Sequence, residues 1–127
     1  METKIEFYEY KKEFVEQCHT GWGCGYVLIP ENHPYMAKAL ICEEESGMLQ
    51  VDGFDEEITF CERIKDNYLK IGFDTAHRWN DYYNDEEWVI LKANHMKDII
   101  DNYTIEDAKK EVKEYVNKIT EKFNKYL

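Results

Sequence analysis

The sequence lacks an apolar segment that could cross a membrane or direct secretion. Its longest apolar stretch is Tyr26–Pro30, whereas a spanning helix needs about 20 apolar residues. Charged sequence follows Met1–Lys4 directly, which does not fit a signal peptide. We therefore expect no membrane partner and a location in a reducing cytoplasm, with the four cysteines as free thiols. Three of them, Cys24, Cys42 and Cys61, lie beside apolar residues and are expected in the core.

The sequence is also poor in basic residues, and in arginine above all. Lys and Arg number 16 against 27 Asp and Glu, which gives a formal net charge of -11. This charge repels phosphate backbones at long range, and we expect no duplex nucleic acid as a partner. A small anionic ligand needs only one or two local cations, for which Arg63 and Arg78 are the candidates. The alternative is that both arginines lie on a solvated face.

No recognised cofactor or metal motif is present. The paired C-x-x-C or H-x-x-x-H spacing of zinc sites is absent, and so is a phosphate-binding loop. The glycines at 21, 23 and 25 precede a strand, whereas those of a dinucleotide-binding turn follow one. Two loose groups, His33 with Asp74 and His77, and Cys18-His19 with Cys24, do not have the spacing of known metal sites. We therefore predict no cofactor and no metal.

Length and composition fit a single α+β domain over residues 1–127. Hydrophobic residues make up 43% of the chain and aromatic residues 15%, enough for a substantial core. We predict a twisted, mostly antiparallel sheet of about five strands with a C-terminal amphipathic helix packed on one face. In chain order, the predicted elements are a hairpin over 1–20, a strand at Tyr26–Pro30, a short helix within Pro34–Cys42, a polar connector over 43–47, an extended piece over 48–53, antiparallel strands at Ile58–Cys61 and Asn67–Asp74, a loop over Thr75–Glu87, a strand at Trp88–Leu91 and an irregular segment over 96–103.

The C-terminal helix has the clearest pattern in the sequence. Thr104 is a suitable N-cap, and Asp107 stands where the acid of a capping box would be. Apolar residues then recur at steps of three and four, which places them on one stripe of a helix. The stripe consists of Ile105, Ala108, Val112, Tyr115, Val116, Ile119 and Phe123. We expect it to cover the sheet, the available apolar surface.

Polar chemistry is concentrated in the segment that follows the second of the paired strands. If Asp74 ends a strand and His77 follows a turn, their side chains can converge beside Trp79. Such a cluster can hydrogen-bond a polar ligand while the aromatic ring stacks on it. The alternative is a loop that satisfies its own polar groups, with Asp74 capping a turn and His77 packing on Trp79. Both interpretations remain open at this point.

Catalysis is a second possibility for the same residues. His33 and His77 could act as a general acid–base pair in phosphoester hydrolysis, with Asp74 or Asp81 orienting one of them. However, the duplicated H-x-T/S motif of two-histidine phosphodiesterases is absent, since His19-Thr20-Gly21 has no second copy. We therefore assign no catalytic residue and expect binding rather than turnover.

Four stretches together resemble a family of small, mostly uncharacterised phage and prophage proteins. They are G-Y-V-L-I-P-E-N-H-P at 25–34, I-T-F at 58–60, I-G-F-D-T-A-H at 71–77 and T-I-E-D at 104–107. The family pattern reads G-Y-V-x-[IV]-P-x-x-H-P, H-G-G-[IL]-T-[FY], G-F-D-x-A-H, and a final helix opened by T-x-E-D. The resemblance covers residues 24–125. This chain departs from it at H-G-G, where only Asp52-Gly53 stands, so a mechanism that needs that histidine is in doubt.

The resemblance implies a phage or prophage origin, a host bacterial cytoplasm and a counter-defence role, such as sequestering a nucleotide-derived immune signal. We expect a nucleotide-like ligand, held at one sheet edge or end, and assembly into a homodimer or higher homo-oligomer. The expected ligand-binding residues are His33, Pro34, Tyr35, Thr59, Phe73, Asp74, Thr75, His77, Arg78 and Trp79. The alternatives are the hydrolase described above and an acidic inhibitor that docks on a host defence enzyme.

Overall fold

The computed structural model describes residues 2–47 and 49–127 as an α+β fold. The elements, in chain order, are β1 (Lys4–Glu9), α1 (Lys12–Cys18), β2 (Gly23–Pro30), α2 (Tyr35–Ser46), β3 (Phe60–Ile64), a short 3₁₀ turn (Lys65–Asn67), β4 (Tyr68–Phe73), α3 (Glu86–Asp101) and α4 (Ile105–Asn124). No helix among these residues has both the length and the apolar character needed to cross a bilayer.

The four strands form one antiparallel sheet in the order β1-β2-β4-β3. The prediction of an antiparallel α+β fold is confirmed, with four strands in place of about five. β2 and β4 are central, and their register pairs Gly25 with Phe73 and Pro30 with Tyr68. The segment after Pro30 and the segment after Phe73 therefore leave the sheet at opposite ends.

One face of the sheet carries the core. Val27 and Ile29 of β2 and Ile71 and Phe73 of β4 lie there, each 2% exposed or less. Helix α3 packs across β1 and β2, while α2 packs on β2 from the same side. On the other face, side chains of the sheet contact one another. For example, the Lys70 ammonium lies 4.3 Å from the centroid of the Tyr26 ring.

Helix α3 replaces the strand predicted at Trp88–Leu91 and the irregular segment predicted over 96–103. Both predictions are wrong, because four apolar residues separated by steps of three or four face the sheet as one helical stripe. Those residues are Val89, Ala93, Met96 and Ile100, and each is fully buried. Asp85 begins the helix by accepting a hydrogen bond from the Trp88 amide. The short apolar run 88–91 resembles a strand only when it is considered without the residues after it.

The C-terminal helix α4 forms as predicted, and its capping box is complete. The Thr104 hydroxyl accepts from the Asp107 amide, and the Asp107 carboxylate accepts from the Thr104 amide. Its position differs from the prediction, because α4 packs on α2 rather than on the sheet. Helix α3 already occupies the sheet face, so most of the apolar stripe of α4 stays exposed.

The remaining differences are local. The predicted N-terminal hairpin is wrong: β1 pairs with β2, and the Lys and Glu residues after it form α1, which ends at His19 in the left-handed conformation. Helix α2 continues through the predicted connector as far as Ser46, where Gly47 at φ 74° ends it. β3 lies two residues later than predicted and leaves Cys61 exposed. Met48, the first residue of the predicted extended piece, lies outside the described residues.

Candidate functional site

The predicted cluster after β4 does bring an acid, an imidazole and an indole together. The His77 Nε2 atom lies 3.4 Å from the Asp74 Oδ1 atom. The His77 ring stacks on Trp79 with a centroid distance of 4.6 Å and an interplanar angle of 5°. The backbone reversal that the sequence suggested is therefore present.

These groups bind one another rather than line a cavity. Asp74 accepts a hydrogen bond from the Ala76 amide, and the His77 amide donates to the side-chain oxygen of Asn80. The indole of Trp79 is 65% exposed and covers the imidazole on one side. Four clefts stand out among the described residues, and Asp74, His77 and Trp79 line none of these four. This geometry matches the self-satisfied loop that the sequence left open as the alternative.

Two other predicted site residues next to this loop are structural. Phe73 is 2% exposed and belongs to the core. Thr75 is fully buried, and its hydroxyl donates to the Gly23 carbonyl at 2.7 Å and accepts from the Gly23 amide at 3.0 Å. Thr75 therefore fastens the loop to the start of β2 and is not available to a ligand.

His33 cannot join His77, because the sheet separates them. His33 follows Pro30 at one end of β2, whereas His77 follows Phe73, which pairs with Gly25 near the other end. The five residues between Gly25 and Pro30 span roughly 17 Å of strand. A single pocket that collects both histidines is therefore ruled out, as is the acid–base pair proposed for hydrolysis.

At its own end, His33 helps to begin α2. Its Nδ1 atom accepts from the Tyr35 amide at 3.0 Å, and its Nε2 atom lies 4.0 Å from Asp101 at the end of α3. Burial lowers the pKa of His33, and the Asp101 carboxylate partly offsets that effect. The neighbouring Pro34 is the N-cap residue of α2. Both residues thus have structural roles next to Tyr35.

The last two predicted residues, Thr59 and Arg78, lie on the surface. The Thr59 amide donates to the Gly72 carbonyl, which continues the β3–β4 pairing by one residue. Arg78 is exposed next to Trp79, as the solvated-face alternative has it. Neither residue lines any of the four clefts.

The largest of those clefts lies between α2 and α4 and encloses about 670 Å³. Its apolar wall comes from both helices and from the end of α3, while charged side chains form its rim. The residues that line it are Tyr35, Lys38, Ile41, Glu45, Asp52, Ile99, Tyr103, Asp107, Lys110, Glu111, Glu114, Tyr115 and Lys118. Of the ten residues predicted to bind ligand, only Tyr35 is among them.

Two tyrosines in this cleft carry buried hydroxyls, and that of Tyr35 has no hydrogen-bond partner among the described residues. Tyr35 is 1% exposed, and its ring meets that of Tyr103 edge to face at 5.1 Å. The Tyr103 hydroxyl interacts with the Glu111 carboxylate. Burial raises the pKa of Tyr35 far above its ordinary value, and burial with the nearby Glu111 raises the pKa of Tyr103 to about 12. Both groups therefore stay protonated at neutral pH and can donate a hydrogen bond.

Lys38 occupies the middle of the cleft. Its side chain is only 10% exposed, and its ammonium lies 2.5 Å from Asp52 and 3.1 Å from Glu111. Burial alone would lower the pKa of Lys38, but the hydrogen bonds to these two carboxylates outweigh it and raise the pKa. One buried ammonium thus holds two carboxylates in place, at the point where α2 meets α4.

The cleft lining carries a surplus of negative charge. Lys38, Lys110 and Lys118 face five acids, namely Glu45, Asp52, Asp107, Glu111 and Glu114. Lys118 is itself paired with Glu45 at 2.8 Å. The lining therefore favours a ligand that is neutral or positively charged, and it offers buried hydroxyl donors together with exposed carboxylate acceptors.

A second, more apolar groove lies where α1 meets the loop after β4, with a volume of about 460 Å³. Tyr10, Val15 and Trp22 form its floor, and the exposed Tyr82 stands at its edge. Within residues 2–47 and 49–127, no group of three or more His, Cys, Asp or Glu side chains is arranged to hold a metal ion.

The α2–α4 cleft could hardly be predicted from the sequence. Tyr103 and Lys38 come from segments that were expected to be an irregular approach and a short helix, and the cleft forms only because α4 turns back onto α2. The excess of tyrosine was the one available signal. Comparisons with protein-family models, with curated proteins and with solved structures found no match for this chain.

Proposed function

We propose that this protein binds a small molecule reversibly, without turnover, in the cleft between α2 and α4. The observation that carries the proposal is the buried hydroxyl of Tyr35, which has no partner among the described residues and belongs to a residue that lines the α2–α4 cleft. A buried hydroxyl left unpaired costs about 1–3 kcal/mol. A bound ligand that supplies the missing acceptor would offset this free-energy cost.

The chemistry of the lining narrows the ligand class. Toward a bound ligand, the tyrosine hydroxyls are hydrogen-bond donors. The Glu114 and Asp52 carboxylates at the rim are acceptors. Ile41 and Ile99 provide an apolar wall for a ring or a short alkyl chain. Because acids outnumber lysines, we propose a polar ligand that is uncharged or positively charged, of the nucleoside or amine type.

The nucleotide-derived signal implied by the family resemblance is the competing ligand class. Its phosphates would meet five acids at this cleft, with Lys110 and Lys118 as the rim cations. The counter-defence role rests on that resemblance and is proposed only together with a nucleotide ligand. Hydrolysis is the less supported function, because His33 and His77 lie at opposite ends of the sheet.

A thermal-shift screen with matched variants tests the proposal. The wild-type protein would be melted with a metabolite library sorted into amines, nucleosides and phosphorylated nucleotides. Hits would be repeated with Tyr35→Phe, which removes the unpaired hydroxyl, and with Tyr68→Phe as the control. Tyr68 is buried on β4 and does not line the cleft.

We expect a hit among amines or nucleosides whose dissociation constant rises about fivefold in Tyr35→Phe, since one hydrogen bond is worth about 1 kcal/mol. The control should bind as the wild type does. Chromatography of the ligand after incubation should return it unchanged. Hits confined to nucleotides would transfer the proposal to the immune-signal class, and a flat response to the whole library would overturn it.

A further inference from the structure

Helix α4 has an exposed apolar stripe that no element among residues 2–47 and 49–127 covers. Five side chains form it, each between 43% and 64% exposed. They are Ile105, Val112, Val116, Ile119 and Phe123. At about 100° per residue they fall within an arc of roughly 60°. A stripe this narrow along the whole helix is more than the scattered apolar residues that any surface carries.

The stripe is separate from the ligand cleft. The side of α4 that faces α2 and the cleft carries Glu111, Tyr115 and Lys118. On a helical projection these residues lie about 40° or more to one side of the stripe. Binding in the cleft and contact through the stripe can therefore occur together.

The spacing of the stripe is that of a two-helix seam. Val112, Val116, Ile119 and Phe123 are separated by four, three and four residues, which is the alternation of a and d positions in a heptad. A seam of this period packs best against another helix of the same period.

Charge identifies the partner. Within α4 five lysines balance five acids, so the helix is neutral and the rest of the chain carries the whole net charge of -11. Two copies that approach through other surfaces meet like charge, whereas two α4 helices do not. We propose that a second copy of this chain covers the stripe, with the two α4 helices antiparallel.

One register fits both the apolar and the flanking residues. With Val116 opposite Ile119 of the second copy, Val112 comes opposite Phe123. The flanking Lys113 then faces Thr120, and Tyr115 faces Lys122, so no charged group meets a like charge. Shifting the helices by one heptad to centre on residue 114 would place the two copies of Lys113 side by side.

The size of the surface sets the expected strength. Twenty residues give a helix about 30 Å long and about 10 Å wide, which is a footprint of roughly 300 Å² per copy. Stable complexes bury about 800 Å² per partner. We therefore expect a reversible dimer with a dissociation constant on the order of 10–100 µM.

Sedimentation equilibrium from about 5 to 500 µM tests this inference, with Val116→Glu as the disrupting variant. Asn117→Glu is the matched control, because it adds the same charge one residue along, on the exposed opposite side of α4. We expect the wild type and the control to dimerise over this range, and Val116→Glu to stay monomeric with an unchanged far-UV circular dichroism spectrum.

Three results would overturn the inference. One is a wild-type protein that is monomeric at every concentration, and another is equal weakening by both substitutions. The third is a monomeric protein that floats with phosphatidylglycerol vesicles through Val116, which would make a lipid surface the occupant. None of these results bears on the ligand cleft, whose test uses Tyr35.

Discussion

Removing the hydroxyl of Tyr35 should make the unliganded protein more stable, which is unusual for a change at a buried tyrosine. Replacing a buried tyrosine by phenylalanine normally removes a satisfied hydrogen bond and lowers the free energy of unfolding by about 0.5–1.5 kcal/mol. Here the hydroxyl is buried with no partner among the described residues, and the ring itself is held by its edge-to-face contact with Tyr103. The substitution therefore removes the desolvation cost of an unpaired hydroxyl and leaves the packing of the ring unchanged.

The size of the effect follows from that penalty. An unsatisfied buried polar group costs about 1–3 kcal/mol, and we expect Tyr35→Phe to recover about 1 kcal/mol of the free energy of unfolding. For a domain of this size that gain raises the melting temperature by roughly 3–5 °C. A phenylalanine also leaves no new cavity beyond the volume of one oxygen atom, so no cavity term opposes the gain.

Urea unfolding followed by circular dichroism measures this change directly. Wild-type protein, Tyr35→Phe and the control Tyr68→Phe would be compared after extensive dialysis, so that no bound ligand adds to the wild-type stability. A midpoint that rises with an unchanged slope supports the reasoning. A Tyr35→Phe protein less stable than the wild type by 1 kcal/mol or more would refute it, since the hydroxyl would then have a partner.

Two further substitutions test structural roles that the fold gives to predicted site residues. Thr75→Val should lower the free energy of unfolding, measured in urea, by about 2–3 kcal/mol, because it removes both hydrogen bonds to Gly23 in a fully buried position. The control Thr75→Ser keeps the hydroxyl and should lower it clearly less. Equal losses in the two variants would contradict the role given to these hydrogen bonds. His33 has a folded pKa below its unfolded value, so the unfolded chain takes up the proton first as the pH falls, and stability from this group is complete above about pH 6.5 and declines below it. This decline in stability should diminish in His33→Asn, whose side-chain oxygen can still accept from the Tyr35 amide. It should persist in the control His19→Asn, at an exposed position with left-handed backbone. Identical stability profiles against pH for the wild type and His33→Asn would show that His33 does not titrate as argued.

Local patterns predicted the elements whose stability is local. The β-branched run ended by Pro30, the antiparallel pair containing Asn67–Asp74 and the capping box at Thr104 are all present, because each depends on neighbouring residues. Trp88–Leu91 was misassigned because four apolar residues fit a buried strand and a helix equally well. The burial of Val89 and Ala93 together against the sheet decides for the helix, and that contact is made far from them in sequence.

The candidate site shows the same division. The turn after Phe73 was predictable, since Asp74 and His77 are three residues apart and meet through local geometry. Whether they face a cavity depends on what packs around them. Instead, His77 stacks on Trp79, and Asp74 accepts a hydrogen bond from the Ala76 amide of the loop. His33 was grouped with them on residue type alone, without the strand register that places it at the opposite end of the sheet.

Local sequence patterns are sufficient to predict the class of the fold, the cap of α4 and its amphipathic character, because periodicity and capping act over a few residues. Tertiary structure alone decided that α3 and not α4 covers the sheet, since the two helices compete for one apolar surface. That outcome creates both features proposed to carry function. Because α4 packs on α2, it forms one side of the cleft beside Tyr35. Its apolar stripe, which includes Val116, stays exposed and available to a second copy.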